Sequence, residues 1–159
     1  EPENNIHVIL SAFSKLSNNN IVCVGNWTNS EYGIMLREEY KTFKNIFLLD
    51  PIYNQKVLNQ LRSNCSIYIH GHSAGGTNPS LVEAMQLKLP IFAYGIQYNI
   101  ETTENKALYF SNAAELILLL KNTNKNELSL IADNMKAIAE ERYTWLAISQ
   151  AYSSLFSSN

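Results

Sequence analysis

Serine, histidine and glycine crowd one short stretch of the chain, Gly71-His72-Ser73-Ala74-Gly75. The spacing Gly-x-Ser-x-Gly is that of a nucleophile elbow, where a sharp turn between strand and helix exposes a serine hydroxyl. Such a serine needs a positioned base, normally histidine, held in turn by an acid. In hydrolases built on that elbow the chain order is serine, acid, histidine. Three histidines occur here, His7, His70 and His72, and none follows Ser73. The elbow also needs its helix at once, whereas Thr77-Asn78-Pro79 postpones it. A serine hydrolase is therefore disfavoured.

Extended to Met85, the same stretch supports anion binding. Glycines after a strand let the backbone approach a ligand and expose its amides. Asn78 and Pro79 fit the cap and first position of a helix. The free N–H groups and positive dipole end of such a helix favour phosphate. Thr77 and Ser80 add hydroxyl donors, and Glu83 follows about one turn into the helix. A carboxylate there can accept hydrogen bonds from a ribose diol. The candidate ligand-binding residues are thus Gly75, Gly76, Thr77, Asn78, Pro79, Ser80, Leu81 and Glu83. No catalytic residue is assigned. His72 is carried as a candidate, since a loop histidine near phosphate can donate a hydrogen bond or a charge. The same glycines also fit a loop shaped for chain geometry alone, with Glu83 a solvated helix residue.

A chain of 159 residues suits one domain, and a composition 46% hydrophobic and 16% charged supplies a core, which excludes a disordered chain. A net charge of −2 gives no basic excess for nucleic acid or an anionic membrane surface. No apolar run approaches a membrane span. Cys23 and Cys65 form no Cys-x-x-Cys pair and read as buried reduced thiols. No metal-ligand cluster is visible. Asn26-Trp27-Thr28 and Asn64-Cys65-Ser66 match the glycosylation triplet without a signal peptide to support it. The chain opens on Glu1 and turns helical at once, as an excised domain would.

Strands and helices alternate along the chain on either side of this loop. A helix over 6–16 carries Ile6, Ile9, Leu10, Phe13 and Leu16 on one face. Strands are expected at Ile21–Gly25, Ile46–Leu49, Ser66–His70, Pro90–Tyr94 and, shorter, Ala107–Phe110. Helices follow caps at Asn29 or Ser30, at Asn54, at Asn78 and at Asn112, the last with Glu115 as a capping box. Residues 121–126 read as a loop, and helices are expected over 127–141 and 144–156. In the last, Trp145, Ile148, Tyr152, Leu155 and Phe156 share a face that reads as packing. Short non-alternating strands between amphipathic helices predict an α/β, Rossmann-like parallel sheet with helices on both faces. Ligands bind such sheets beyond the carboxyl ends of the strands. That rule singles out the loops after Gly25, Leu49, His70 and Tyr94. Tyr53, Asn26-Trp27 and Tyr98-Asn99 lie in them, each either at the cleft or in ordinary packing.

The stretch 71–85 followed by Leu89-Pro90-Ile91 resembles the donor site of the family 4 (group 1) glycosyltransferases of the GT-B fold, most of all their rhamnosyltransferase-like bacterial branch. The resemblance covers nearly the whole chain. It implies that residues 1–159 are a single nucleotide-sugar-binding domain, the C-terminal half of the enzyme, whose N-terminal acceptor domain is absent from this chain. It implies retaining, metal-independent transfer from a nucleotide-diphosphate sugar to a glycan or lipid-linked acceptor, with no cofactor. The parent would be a cytoplasmic protein of bacterial polysaccharide biosynthesis that meets the inner face of the membrane only peripherally. This fragment alone would be inactive. By the same resemblance Glu83 matches the second Glu of a Glu-x7-Glu signature and would hold the ribose. Gly75, Gly76 and Thr77 would approach the donor sugar, and Asn78 to Leu81 the diphosphate. The chain departs from the pattern at Gly75, where the first signature Glu would stand, and at Asn4, where a diphosphate-binding Lys would stand. A non-catalytic phospholigand-binding module is the alternative reading.

Overall fold

The computed structural model describes residues 1–156. A 3-10 turn, Pro2–Asn4, leads into α1 (Ile6–Phe13), β1 (Ile21–Val24), α2 (Glu31–Tyr40), β2 (Ile46–Leu49) and α3 (Gln55–Ser63). Then come β3 (Tyr68–His70), α4 (Pro79–Gln86), β4 (Ile91–Tyr94), α5 (Gln97–Thr102) and β5 (Leu108–Phe110). The chain closes with α6 (Ala113–Asn122), α7 (Lys125–Arg142) and α8 (Trp145–Phe156).

Every strand pairing is parallel. Side chains alternate across β4, as the two-residue period of a strand requires. Ile91 and Ala93 enter one core, with Leu81 and Met85 of α4 and Met135 of α7. Phe92 enters the other, with Leu10 and Phe13 of α1 and Leu116 of α6. Helices therefore cover both faces, the expected Rossmann-like arrangement. The strands form two sheets, however, β1-β2 and β3-β4-β5, in place of one continuous sheet.

The caps form as the side chains dictate. Ser30 accepts from the Gly33 amide, Asn54 from Lys56 and Val57, Asn78 from Ser80, and Asn112 from Glu115. Each such cap stabilises its helix by about 1 kcal/mol. Glu115 completes its box by accepting from the Ser111 amide at 2.7 Å, which holds its carboxyl below the usual range. Buried Asn45 ties α1 to β2: its Nδ2 donates to the carbonyls of Phe13, Leu16 and Asn19 at 2.9, 3.2 and 2.9 Å.

The structure corrects some expectations and decides others. The α-helical ladder of the first helix stops at Phe13, and Lys15 and Leu16 continue with tighter bonds to Ala12 and Phe13. A further helix, α5, occupies Gln97–Thr102, where no apolar period marks one. Trp27, open between cleft and ordinary packing in the sequence, is buried, its Nε1 donating to the Leu49 carbonyl at 2.8 Å, and belongs to the core. The last helix does not bury its aromatic stripe: Trp145 is 87%, Tyr152 64% and Phe156 80% exposed. α8 packs on α7, and no described element covers these side chains. The Leu155 side chain lies outside the described residues. The thiols of Cys23 and Cys65 are free: Cys23 packs against the core, where burial pushes its pKa up to about 12, and Cys65 is half-buried with its Sγ 3.3 Å from the Leu61 carbonyl.

Candidate binding site at the start of helix α4

The loop Gly71–Asn78 leaves β3 at its carboxyl end and splits into two halves. The inner half is stitched to the start of the chain. Asn5 Nδ2 donates to the Gly71 carbonyl at 2.9 Å, and the Ser73 amide donates to the Glu3 carbonyl at 2.8 Å. Ser73 Oγ donates to the same carbonyl at 3.0 Å. A hydroxyl spent on a peptide carbonyl, while the adjacent His72 pairs through Nδ1 with Asn4, is not an activated nucleophile. Gly71 is required by packing: a Cβ there would stand 2.2 Å from the Asn4 carbonyl oxygen. From the other side, buried Asn99 donates from Nδ2 to the carbonyls of His72 and Tyr94, both at 2.9 Å. Asn99 therefore joins the loops after β3 and β4.

The outer half, Ala74–Thr77, is exposed. Among the described residues, its backbone amides have no partner in the chain. Gly75 sits at φ 69°, the left-handed region that glycine enters without strain. A Cβ at Gly75 or Gly76 would meet nothing within 4 Å. The helix start differs from the expectation of a row of free N–H groups. Pro79 has none, Ser80 N–H is taken by Asn78 Oδ1 at 2.9 Å, and those of Leu81 and Val82 go to the Asn78 carbonyl at 3.1 and 3.3 Å. The free donors thus belong to the glycine loop, while α4 supplies its dipole.

Thr77, Pro79 and Glu83 share one hollow of about 440 Å³ with Tyr143, Trp145 and Ile148. Thr77 Oγ1 also lies 3.3 Å from Thr102 Oγ1 of α5. Ser80 faces away, into a larger trench beside β1 and β3, and the Leu81 side chain is fully buried. Glu83 Oε2 accepts from Arg62 Nη1 of α3, the guanidinium being 13% and the carboxylate 45% exposed. Arg62 escaped the sequence reading, since 21 residues separate it from Glu83 and nothing local links them.

The two histidines beside the loop have different surroundings. His70 is buried, and among the described residues none pairs with its Nε2. Burial first, and the nearby His72 second, push its pKa down to about 4, so it is neutral at pH 7. His72 is half-buried, and its Nδ1 lies 2.8 Å from Asn4 Oδ1. With that oxygen as acceptor, Nδ1 carries the proton. Tyr53, after β2, is 89% exposed and lines the large trench, and Tyr98 on α5 is 51% exposed. Neither enters the hollow that holds Glu83.

The fold is shared with solved proteins of low identity. The Anabaena protein HepE, solved with UDP-glucose, superposes with a TM-score of 0.79 at 20% identity; the match covers 100% of this chain and 46% of that one. Sucrose-phosphate synthase from Thermosynechococcus elongatus gives 0.77 at 16%, covering 100% and 44%. WaaG, a glycosyltransferase involved in lipopolysaccharide biosynthesis, gives 0.70 at 14%, covering 94% and 42%. The chain thus spans less than half the length of these proteins. They support the GT-B C-terminal, Rossmann-like architecture. No curated protein matches the chain significantly. The sequence profile described as "Glycosyl transferases group 1" matches residues 1–142. With nearly the whole length accounted for and the fold in agreement, the chain belongs to the group 1 glycosyltransferases.

Proposed function

We propose that the chain is the nucleotide-sugar-binding domain of a two-domain, retaining glycosyltransferase. Its acceptor, a glycan or a lipid-linked sugar, would be held by an N-terminal domain encoded upstream. The single observation that carries the reading is the bare run of amides Ala74–Thr77, set over open space at the dipole end of α4 and continuous with the hollow holding Glu83. Oriented donors of that kind favour a diphosphate and stabilise the charge that grows on it as the sugar departs. Arg62 takes one oxygen of Glu83 and leaves Oε1 for a ribose diol. HepE is solved with UDP-glucose in the same fold, which makes a uridine diphosphate the first donor to try.

Gly75 brings no carboxylate to the donor sugar, and Asn4 brings no charge to the diphosphate. Instead, Asn4 orients the imidazole of His72, which is proposed to take over part of that work. Transfer would need no metal, and the chain by itself would bind donor without transferring sugar. WaaG acts in lipopolysaccharide biosynthesis, and a parent in bacterial surface polysaccharide assembly, of the rhamnosyltransferase-like branch and at the inner membrane face, is the matching proposal.

Titration with UDP followed by amide NMR tests the site. Shifts should concentrate on Ala74 to Thr77. Glu83→Ala should weaken UDP binding about tenfold, the loss of one charge-assisted hydrogen bond, and leave inorganic pyrophosphate binding unchanged. Shifts scattered over the fold, or equal losses for both ligands, would sink the assignment.

A further inference from the structure

Arg62 lines the trench and Glu83 the hollow, and their ion pair spans the divide between the two. The two ends of the pair are unequal. Arg62 stands in the last turn of α3, where the helix dipole favours a cation. The backbone at that turn is pinned: the Cys65 amide donates to the Arg62 carbonyl at 2.9 Å, and Asn64 Nδ2 donates to the Gln60 carbonyl at 2.7 Å. Leu61 and Tyr68 line the trench beside it, and little of its side chain meets solvent, whereas the Glu83 carboxylate reaches the surface. Tyr68 does not share the charge. Burial pushes its phenol up to about 12, so it stays neutral at pH 7 with Arg62 and Glu83 as the charges acting on it. A recessed, fixed cation thus holds one oxygen of an exposed carboxylate.

A glutamate alone on a surface samples several rotamers, and whatever it grips must order it. One already held by a guanidinium is ordered beforehand, so the hydroxyls of a ligand meet it without that loss. A polar group held in this way also discriminates. An ionised carboxylate only accepts hydrogen bonds, and an analogue that lacks one hydroxyl leaves it short of a donor. The guanidinium itself is no free charge for a phosphate. It is occupied by Glu83 and lines the trench, while Thr77 of the bare amide run lines the hollow. We propose that Arg62 is a positioning residue that acts through Glu83 and sets a preference for ribonucleotides over 2′-deoxyribonucleotides. The inference rests on the donor-binding reading, in which Glu83 grips the ribose diol.

Calorimetry with UDP, 2′-deoxy-UDP and inorganic pyrophosphate tests it. The chain should bind UDP about tenfold more tightly than 2′-deoxy-UDP, the loss of one charge-assisted hydrogen bond. Arg62→Met keeps the length of the stem and removes the charge. It should weaken UDP about fivefold and 2′-deoxy-UDP less than about twofold, so that the preference nearly vanishes, with pyrophosphate binding unchanged. Where Arg62→Met does not fold, Arg62→Gln should give the same collapse. Arg62→Lys, which restores a cation to the same oxygen, should recover the preference. In a Glu83→Gln background Arg62→Met should change UDP affinity by less than about twofold, since its partner is already disarmed. A folded Arg62→Met or Arg62→Gln protein that keeps the preference overturns the proposal. So do equal losses for all three probes, the mark of a charge acting on phosphate, and losses that multiply in the double variant. Failure of the underlying reading looks different: the unaltered chain would then bind pyrophosphate as tightly as UDP and show no preference to remove.

Discussion

Gly71 and Gly75 stand four residues apart in one loop and do opposite things. At Gly71 a methyl group would collide with the Asn4 carbonyl, whereas at Gly75 it would project into empty space. The inner half of the loop is fixed by hydrogen bonds to Glu3, Asn5 and Asn99; the outer half keeps its amides bare. The difference separates glycines that let protein pack on protein from glycines that leave a surface for something else. One run of small residues therefore holds a structural seam and a binding surface side by side.

The sharpest way to break that contrast is Gly71→Val. Forcing backbone apart at 2.2 Å should cost about 3 kcal/mol or more, read as a lower urea midpoint. Acid should act on the same inner region through His70. Its folded pKa, about 4, lies below the ordinary 6.5, so the unfolded chain binds the proton more readily. Stability is then present above pH 6.5 and falls by up to about 3 kcal/mol between pH 6.5 and 4. His70→Leu should flatten that slope in denaturation curves taken at several pH values. Asn99→Ala leaves the His72 and Tyr94 carbonyls short of a donor and should cost about 2 kcal/mol by the same measurement. Gly76→Val sharpens the contrast from the other side. It should change stability by less than about 0.5 kcal/mol yet abolish UDP binding in calorimetry, because its side chain fills the space above the amides. A Gly76→Val protein that unfolds, or that binds as before, would erase the distinction between the halves.

Much of the frame was legible because it is written locally. Ile46–Leu49 and Ile91–Tyr94 are short apolar runs closed by turn residues, and Asn54, Asn78 and Asn112 cap helices in the positions that their side chains favour. What stayed hidden depends on distant partners. Nothing near Glu83 announces Arg62, nothing in Gln97–Thr102 has a helical apolar period, and Trp27 is drawn inward by the Leu49 carbonyl across 22 residues. The stripe on α8 shows the limit of periodicity. Spacing tells which side chains share a face, but only the rest of the fold decides whether that face is covered. For the candidate site, the glycine loop and the Asn78 cap were readable. That the cap itself consumes the first helix amide, and moves the free donors upstream, was a matter of three-dimensional bookkeeping between Asn78 and Ser80.

Asn99 fastens the loop after β3 to the turn after β4, and Thr102 reaches from α5 to the Thr77 hydroxyl while holding the Tyr98 carbonyl. The two lips of the cleft are laced together at both ends. A guest that displaces one lip must drag the other, so movement at Thr77 is handed through the Thr102 hydroxyl to the backbone of Tyr98.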